Sequence, residues 1–220
     1  MWRRTVGIAV LLGGVAFAQY GEMADLGAGK LLIAKPELGD PNFAHTVILI
    51  VDYDRDKGTS GLILNRRTDV ALSKLFPDTK TASSDPVFQG GPVEETAAQA
   101  LLRSATKLDN ATRLFGSVYV SGSKELIEKT VAAAPPASEF RLYVGYGGWG
   151  PGQLEHEIAL GAWDVLNGRS NIVFDDDPDS LWDRLEKLAH ARIAMSAPRF
   201  HFSAAAMTDA SGAVNWNFAP

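Results

Sequence analysis

Gly145-Tyr-Gly-Gly-Trp-Gly-Pro-Gly-Gln-Leu-Glu-His-Glu-Ile-Ala-Leu-Gly-Ala-Trp163 carries more structural information than any other run of this chain. Phe140 to Tyr146 enters it as an apolar, aromatic strand. Pro151 suits the first position of a helix, and Leu154 with Ile158 makes an i,i+4 apolar stripe behind it. Strand, glycine turn and helix in succession point to an α/β fold. Trp163 to Leu166 and Ile172 to Phe174 read as further strands.

On the amino-terminal side, Leu31 to Ala34 is a short buried strand stopped by Pro36. His45 to Tyr53 is a continuous apolar, β-branched run, the pattern of a strand covered on both faces. Asp54 to Gly58 turns the chain back into Gly61 to Asn65, so the pair predicts a hairpin. Val70 to Phe76 predicts a short helical turn, Thr79 to Asp85 a surface loop and Gln89-Gly90-Gly91-Pro92 a turn. Ala98 to Arg103 fits strand or helix. Ser117 to Ser121 reads as a strand. Ser123 to Ala134 reads as an amphipathic helix with Leu126, Ile127 and Val131 inward. Asp177-Pro178 is expected to start the last helix, with Leu181, Trp182, Leu185 and Leu188 as its core stripe. No linker or repeat divides the body. The expectation is one domain over residues 19–192 and a divergent tail over 193–220.

The composition, 46% hydrophobic and 21% charged, is that of a globular chain. No cysteine is present, which removes disulfides, thiol catalysis and iron–sulfur clusters. The net charge is −5 and no basic run exceeds two residues, so general nucleic-acid binding is disfavoured. Arg3-Arg4, the apolar run Val6 to Ala18 and the Ala16-Phe17-Ala18 end have the order of a secretory signal peptide over residues 1–18, cut before Gln19. The run is too short for a spanning helix, so no stable transmembrane span is expected after cleavage. Export to the periplasm or beyond is the expectation. A true start at Met23, with a cytoplasmic protein, is the alternative.

Several constellations invite chemistry. Gly145-x-Gly147-x-x-Gly150 matches a dinucleotide fingerprint after a strand and before a helix, but a tight turn that lays Trp149 against backbone is the plainer reading. Glu155-His156-Glu157 lacks the i,i+4 histidines of a zinc site. Gly58-Thr59-Ser60-Gly61 is not a nucleophile elbow. Asp175-Asp176-Asp177 reads as a helix cap rather than a cation site, and Arg66 and Arg67 as edge charges. No catalytic residue, metal ligand or cofactor is assigned.

Four segments in order give a resemblance. They are Gly29 to Ala34 with Asp40-Pro41-Asn42-Phe43, Gly61 to Arg66, Val87 to Val93, and the glycine–tryptophan run. Together the chain resembles the YqgE/AlgH family over about Leu26 to Leu188. The resemblance implies an α/β domain whose mixed, strongly twisted sheet closes toward a pseudo-barrel flanked by helices, with Ala98 to Arg103 as a strand. It carries over no catalytic residue. Arg67 stands where the family usually has proline, and a histidine common near Tyr53 and Asp54 is missing.

The function expected is that of an exported, non-catalytic binding protein for an unknown protein or small-molecule ligand. Strand ends and tight loops nominate Asn65, Arg66, Gly90, Gly91, Trp149, Gln153 and Glu155 as its contact surface. Two alternatives stand beside it. One is a hydrolase using Glu155 or Glu157 as base. The other is a cytoplasmic transcriptional regulator.

Overall fold

A computed structural model describes residues 26–196; the expected signal peptide, its cleavage site and the tail beyond 196 lie outside the described residues. Ten strands form one sheet. The first is β1 (Lys30–Ala34), and β2 (Val47–Asp54) and β3 (Gly58–Ile63) make the expected hairpin. The Asp54 carboxylate closes its turn by accepting from the Asp56 and Lys57 amides at 3.0 and 3.1 Å. Burial on both faces of β1 and β2 follows from their sequence. Leu31, Ile33, Val47 and Leu49 enter one core, and their neighbours Leu32, Ala34, Ile48 and Ile50 enter another.

β4 (Arg67–Ala71) runs into the helical turn α1 (Leu72–Leu75), and β5 (Pro86–Gln89) follows the expected loop. β6 (Val93–Arg103), β7 (Thr112–Phe115) and β8 (Val118–Ser121) precede α2 (Lys124–Ala132), whose Ser123 hydroxyl caps the Leu126 amide. Ile127 and Val131 of α2 are buried, and Leu126 is half-buried. Then come β9 (Phe140–Trp149), α3 (Gln153–Ala159), β10 (Trp163–Asn167), α4 (Ser170–Val173) and α5 (Leu181–Ser196). Among the described residues no helix is long and apolar enough to cross a membrane.

The strand order is β10-β1-β2-β3-β9-β6-β8-β7, with β5 joining β9 and β4 joining β5. The β5–β9 pair is parallel and the other described pairs are antiparallel, so the sheet is mixed. It curls strongly into a half-barrel flanked by helices. Its ends approach each other: a Cβ on Gly168 would lie 2.6 Å from the Phe115 ring and 2.3 Å from the Gly29 carbonyl. Only glycine lets the β7 ring seat against the start of β1 and the end of β10.

Three expectations change, and one left open is decided. Ile172 to Phe174 is not a strand: residues 170–173 form α4, which drops Val173 and Phe174 into the first core. β10 has already ended at Asn167, and the chain turns away from the sheet edge. Ala98 to Arg103, open between strand and helix on composition, is the strand the family resemblance implied, because β6 is laddered by β8 on one side and β9 on the other, which outweighs alanine's helix propensity. Asp177-Pro178 makes a turn before the last helix, with Ser180 Oγ donating to Asp177 Oδ2 at 2.5 Å; the regular helix begins at Leu181. Leu188 is exposed and Ala189 takes the buried position.

Candidate functional site

The glycine–tryptophan run is strand through Trp149, which corrects both the phosphate-loop and the tight-turn readings. β9 pairs with β3 at Gly61↔Gly147 and Thr59↔Trp149, and with β6 at Val93↔Tyr146. Its glycines are there for a backbone crossing. The segment Gly90-Gly91 lies directly on β9: the Gly90 amide donates to Val144 O at 2.8 Å, and Ile63 N donates to Gly90 O at 2.9 Å. A Cβ on Gly90 would stand 2.3 Å from Gly145 O, and one on Gly91 2.1 Å from the Tyr146 carbonyl carbon. Gly145 itself has φ +70°.

At the end of β9 the aromatic side chains gather. Trp149 stacks on Phe43 with centroids 5.6 Å apart, and Trp163 meets both edge-on at 5.9 and 6.0 Å. Glu157 caps the cluster. Its Oε2 accepts from the indole N–H of Trp149 and of Trp163, each at 2.9 Å, while Oε1 accepts from Gln153 Nε2 at 2.9 Å. Gln153 Oε1 in turn accepts the Gly150 amide at 3.0 Å. Two turns of α3 are thus tied to the strand they follow.

Glu155 leaves α3 on another side. It is buried, and Tyr53 of β2 donates its hydroxyl to Oε1 at 2.7 Å. Burial first, and then the Glu155 hydrogen bond, push the Tyr53 phenol up to about 12. That phenol holds its proton at neutral pH and is a poor general acid there.

Asn65 bridges the gap before β2: its Oδ1 accepts from Val47 N and its Nδ2 donates to His45 O, both at 2.9 Å. Arg66 is half-buried and donates to Pro41 O at 3.3 Å; burial lowers its pKa from the usual arginine value. The loop from Asp40 to His45 therefore connects Asn65 and Arg66 to the Phe43–Trp149 stack. Of the seven residues nominated from the sequence, Gly90, Gly91, Trp149 and Glu155 are buried, Asn65 and Arg66 half-buried, and Gln153 exposed.

A second polar region escaped the sequence reading. Arg141 is buried in β9, with its guanidinium on the Val173 and Asp175 carbonyls and 5.1 Å from the Phe88 ring centroid. Arg103 of β6, on the same face, donates to Ser170 O at 2.9 Å and lies over Phe174. Both hold α4 and the loop after it onto the sheet. The available signal was alternation: Arg141 shares its parity with inward Tyr143. Asp175 accepts from Arg184 at 2.6 Å, and Arg67 pairs with Asp179.

The AlgH-like family model matches residues 31–194. A UPF0301 protein of Streptomyces avermitilis is 35% identical over 177 residues, covering 77% of this chain and 90% of that one. Another from Thermobifida fusca is 34% identical over 182 residues, with the same coverages of 77% and 90%. Two solved structures are similar. A crystal structure of a Corynebacterium diphtheriae protein has TM-score 0.63 and 26% identity, covering 73% of this chain and 86% of that one. The solution structure of the AlgH protein of Pseudomonas aeruginosa has TM-score 0.59 and 28% identity, covering 77% and 89%.

Proposed function

The chain belongs to the AlgH-like family, and from that premise we propose that it is a binding protein of the cell envelope rather than an enzyme. The observation that carries the reading is the state of the two α3 carboxylates. Glu157 spends both oxygens on three N–H donors, and Glu155 accepts a phenol that keeps its proton. A general base needs a free lone pair facing substrate; both Glu157 oxygens face their donors, and Glu155 keeps only Oε2, on a buried side chain. Gln153 is exposed and Arg66 half-buried beside this network, and they are the proposed contacts for a partner.

Export rests on the basic, apolar and small-residue order of residues 3–18. Mass spectrometry of the native protein is expected to find a mature chain beginning at or near Gln19 outside the cytoplasm. A cytoplasmic chain beginning at Met23 overturns export and revives the regulator reading. Binding is tested by capture from envelope extract alongside a hydrolase substrate panel. Specific capture without turnover is the expected result. Turnover that Glu155→Gln abolishes would replace the binding reading with the hydrolase.

A further inference from the structure

The inner face of the half-barrel is apolar across its centre, where Leu49, Leu62, Leu101 and Val118 share one core. At one end it changes character. Ser60 lies two residues from Leu62, Gln99 two from Leu101, and Thr112 pairs with Val120, two from Val118. Strand alternation therefore turns all three to the same concave side. Asp52 reaches that side by a different route. The β2–β3 register shifts between Ile50↔Gly61 and Asp52↔Ser60, leaving Val51 as the extra residue of a bulge. A bulge brings two consecutive side chains to one face, and Val51 and Asp52 both line the same cavity.

That cavity measures about 280 Å³ and is built from β2, β3, β6, β7 and β8. Val51 and Val120 supply apolar surface. Among the described residues, the side chains of Asp52, Ser60, Gln99 and Thr112 hydrogen-bond no other residue. Ser60 and Gln99 are half-buried all the same. Asp52 and Thr112 stand exposed at the rim; such polar groups without protein partners, drawn from separate strands around an apolar patch, suit a polar small molecule, and a barrel mouth is a usual place for one. Asp52 is the single charged residue of the lining, so the site selects against anions and favours a donor-rich cation.

We propose that this mouth binds a small amine-bearing polyol, with Asp52 accepting from the ammonium and Ser60, Gln99 and Thr112 meeting the hydroxyls. The proposal rests on the binding-protein reading and gives it a ligand class.

The test uses the full chain, nitrogen-15 labelled, and three probes of one ring size: glucosamine (cationic), glucose (neutral) and glucuronate (anionic). Amide shifts at Asp52, Gln99, Thr112 and Gly122 are expected to move with glucosamine most, glucose less and glucuronate least. Asp52→Asn is expected to weaken glucosamine about tenfold, the loss of one charge-assisted contact, and to level the three probes. Asp176→Asn, an exposed acid elsewhere, controls for general charge effects and is expected to leave the order intact. The proposal is overturned if no probe shifts these amides, if the shifts map elsewhere, or if glucuronate binds as tightly as glucosamine. Any of these with specific protein capture still standing leaves the binding reading intact. Turnover of a probe would instead overturn that reading.

Discussion

Glu157 shows how one side chain settles a local structure. Its two oxygens satisfy two indoles and an amide, so α3, β9 and β10 meet at one carboxylate. Glu157→Gln keeps the shape but places an amide N–H₂ where an acceptor is needed. The expected cost is about 1–3 kcal/mol for donors left unmatched. Urea unfolding followed by tryptophan fluorescence measures it, and an unchanged midpoint would refute the role. Tyr53 supports a pH prediction. Its phenol titrates at about 12 in the folded chain and about 10 in the unfolded one. Between those values the folded chain keeps a proton that the unfolded chain has lost. Stability from this group is therefore intact below about pH 10 and falls as the pH rises toward 12. Tyr53→Phe should lack that part of the slope, read as the difference between the two stability–pH curves. Coincident curves would refute it.

Between elements, the decisive event is the crossing of Gly90-Gly91 over β9. Backbone amide meets backbone carbonyl with no side chain between, which is why β3, β5, β6 and β9 converge there. Gly90→Ala drives a methyl into the Gly145 carbonyl at 2.3 Å. Overpacking alone costs about 1–3 kcal/mol, and a backbone obstacle cannot rotate away, so a loss at or above the top of that range is expected. Gly39→Ala meets nothing within 4 Å and should stay within about 0.5 kcal/mol of the parent. Thermal unfolding of the pair checks the contrast. Equal melting temperatures would mean that the crossing relaxes freely.

For the whole molecule, the curl of the sheet is held at a seam rather than by a ladder. β7 and β10 are the ends of the strand order, and Phe115 fills the gap over Gly29 and Gly168. Phe115→Ala removes that plug. Because the ring is only partly buried, the expected loss is about 2 kcal/mol, below the cost of a fully buried phenylalanine. The more telling readout is amide hydrogen exchange, which should quicken at Leu114, Phe115 and Lys30 while β2 and β3 stay protected. Unchanged exchange across the seam would show that the half-barrel keeps its curl without this contact.

β1, β2, α2 and the family motif were legible in the sequence because their signals are local. Long apolar runs specify buried strands, and a serine before a 3.6-residue stripe specifies a capped helix. Short edge strands such as β4 and β7 carry little apolar pattern, since one side of each faces solvent, and they went unread. The glycine run looked like a turn because glycine has low strand propensity; pairing with β3 and β6 on either side makes it strand. Glu155 and Gln153 were visible as polar residues at the start of α3, but their partners were not. Glu155 meets Tyr53 across 102 residues of chain. The polar mouth lay further out of reach, because it takes one residue from each of four strands and depends on a bulge. Residue order alone was enough for the family, the buried strands and the absence of thiol chemistry. Which polar groups hold the fold and which face a cavity emerged only on packing, because both are set by contacts between residues far apart in the chain.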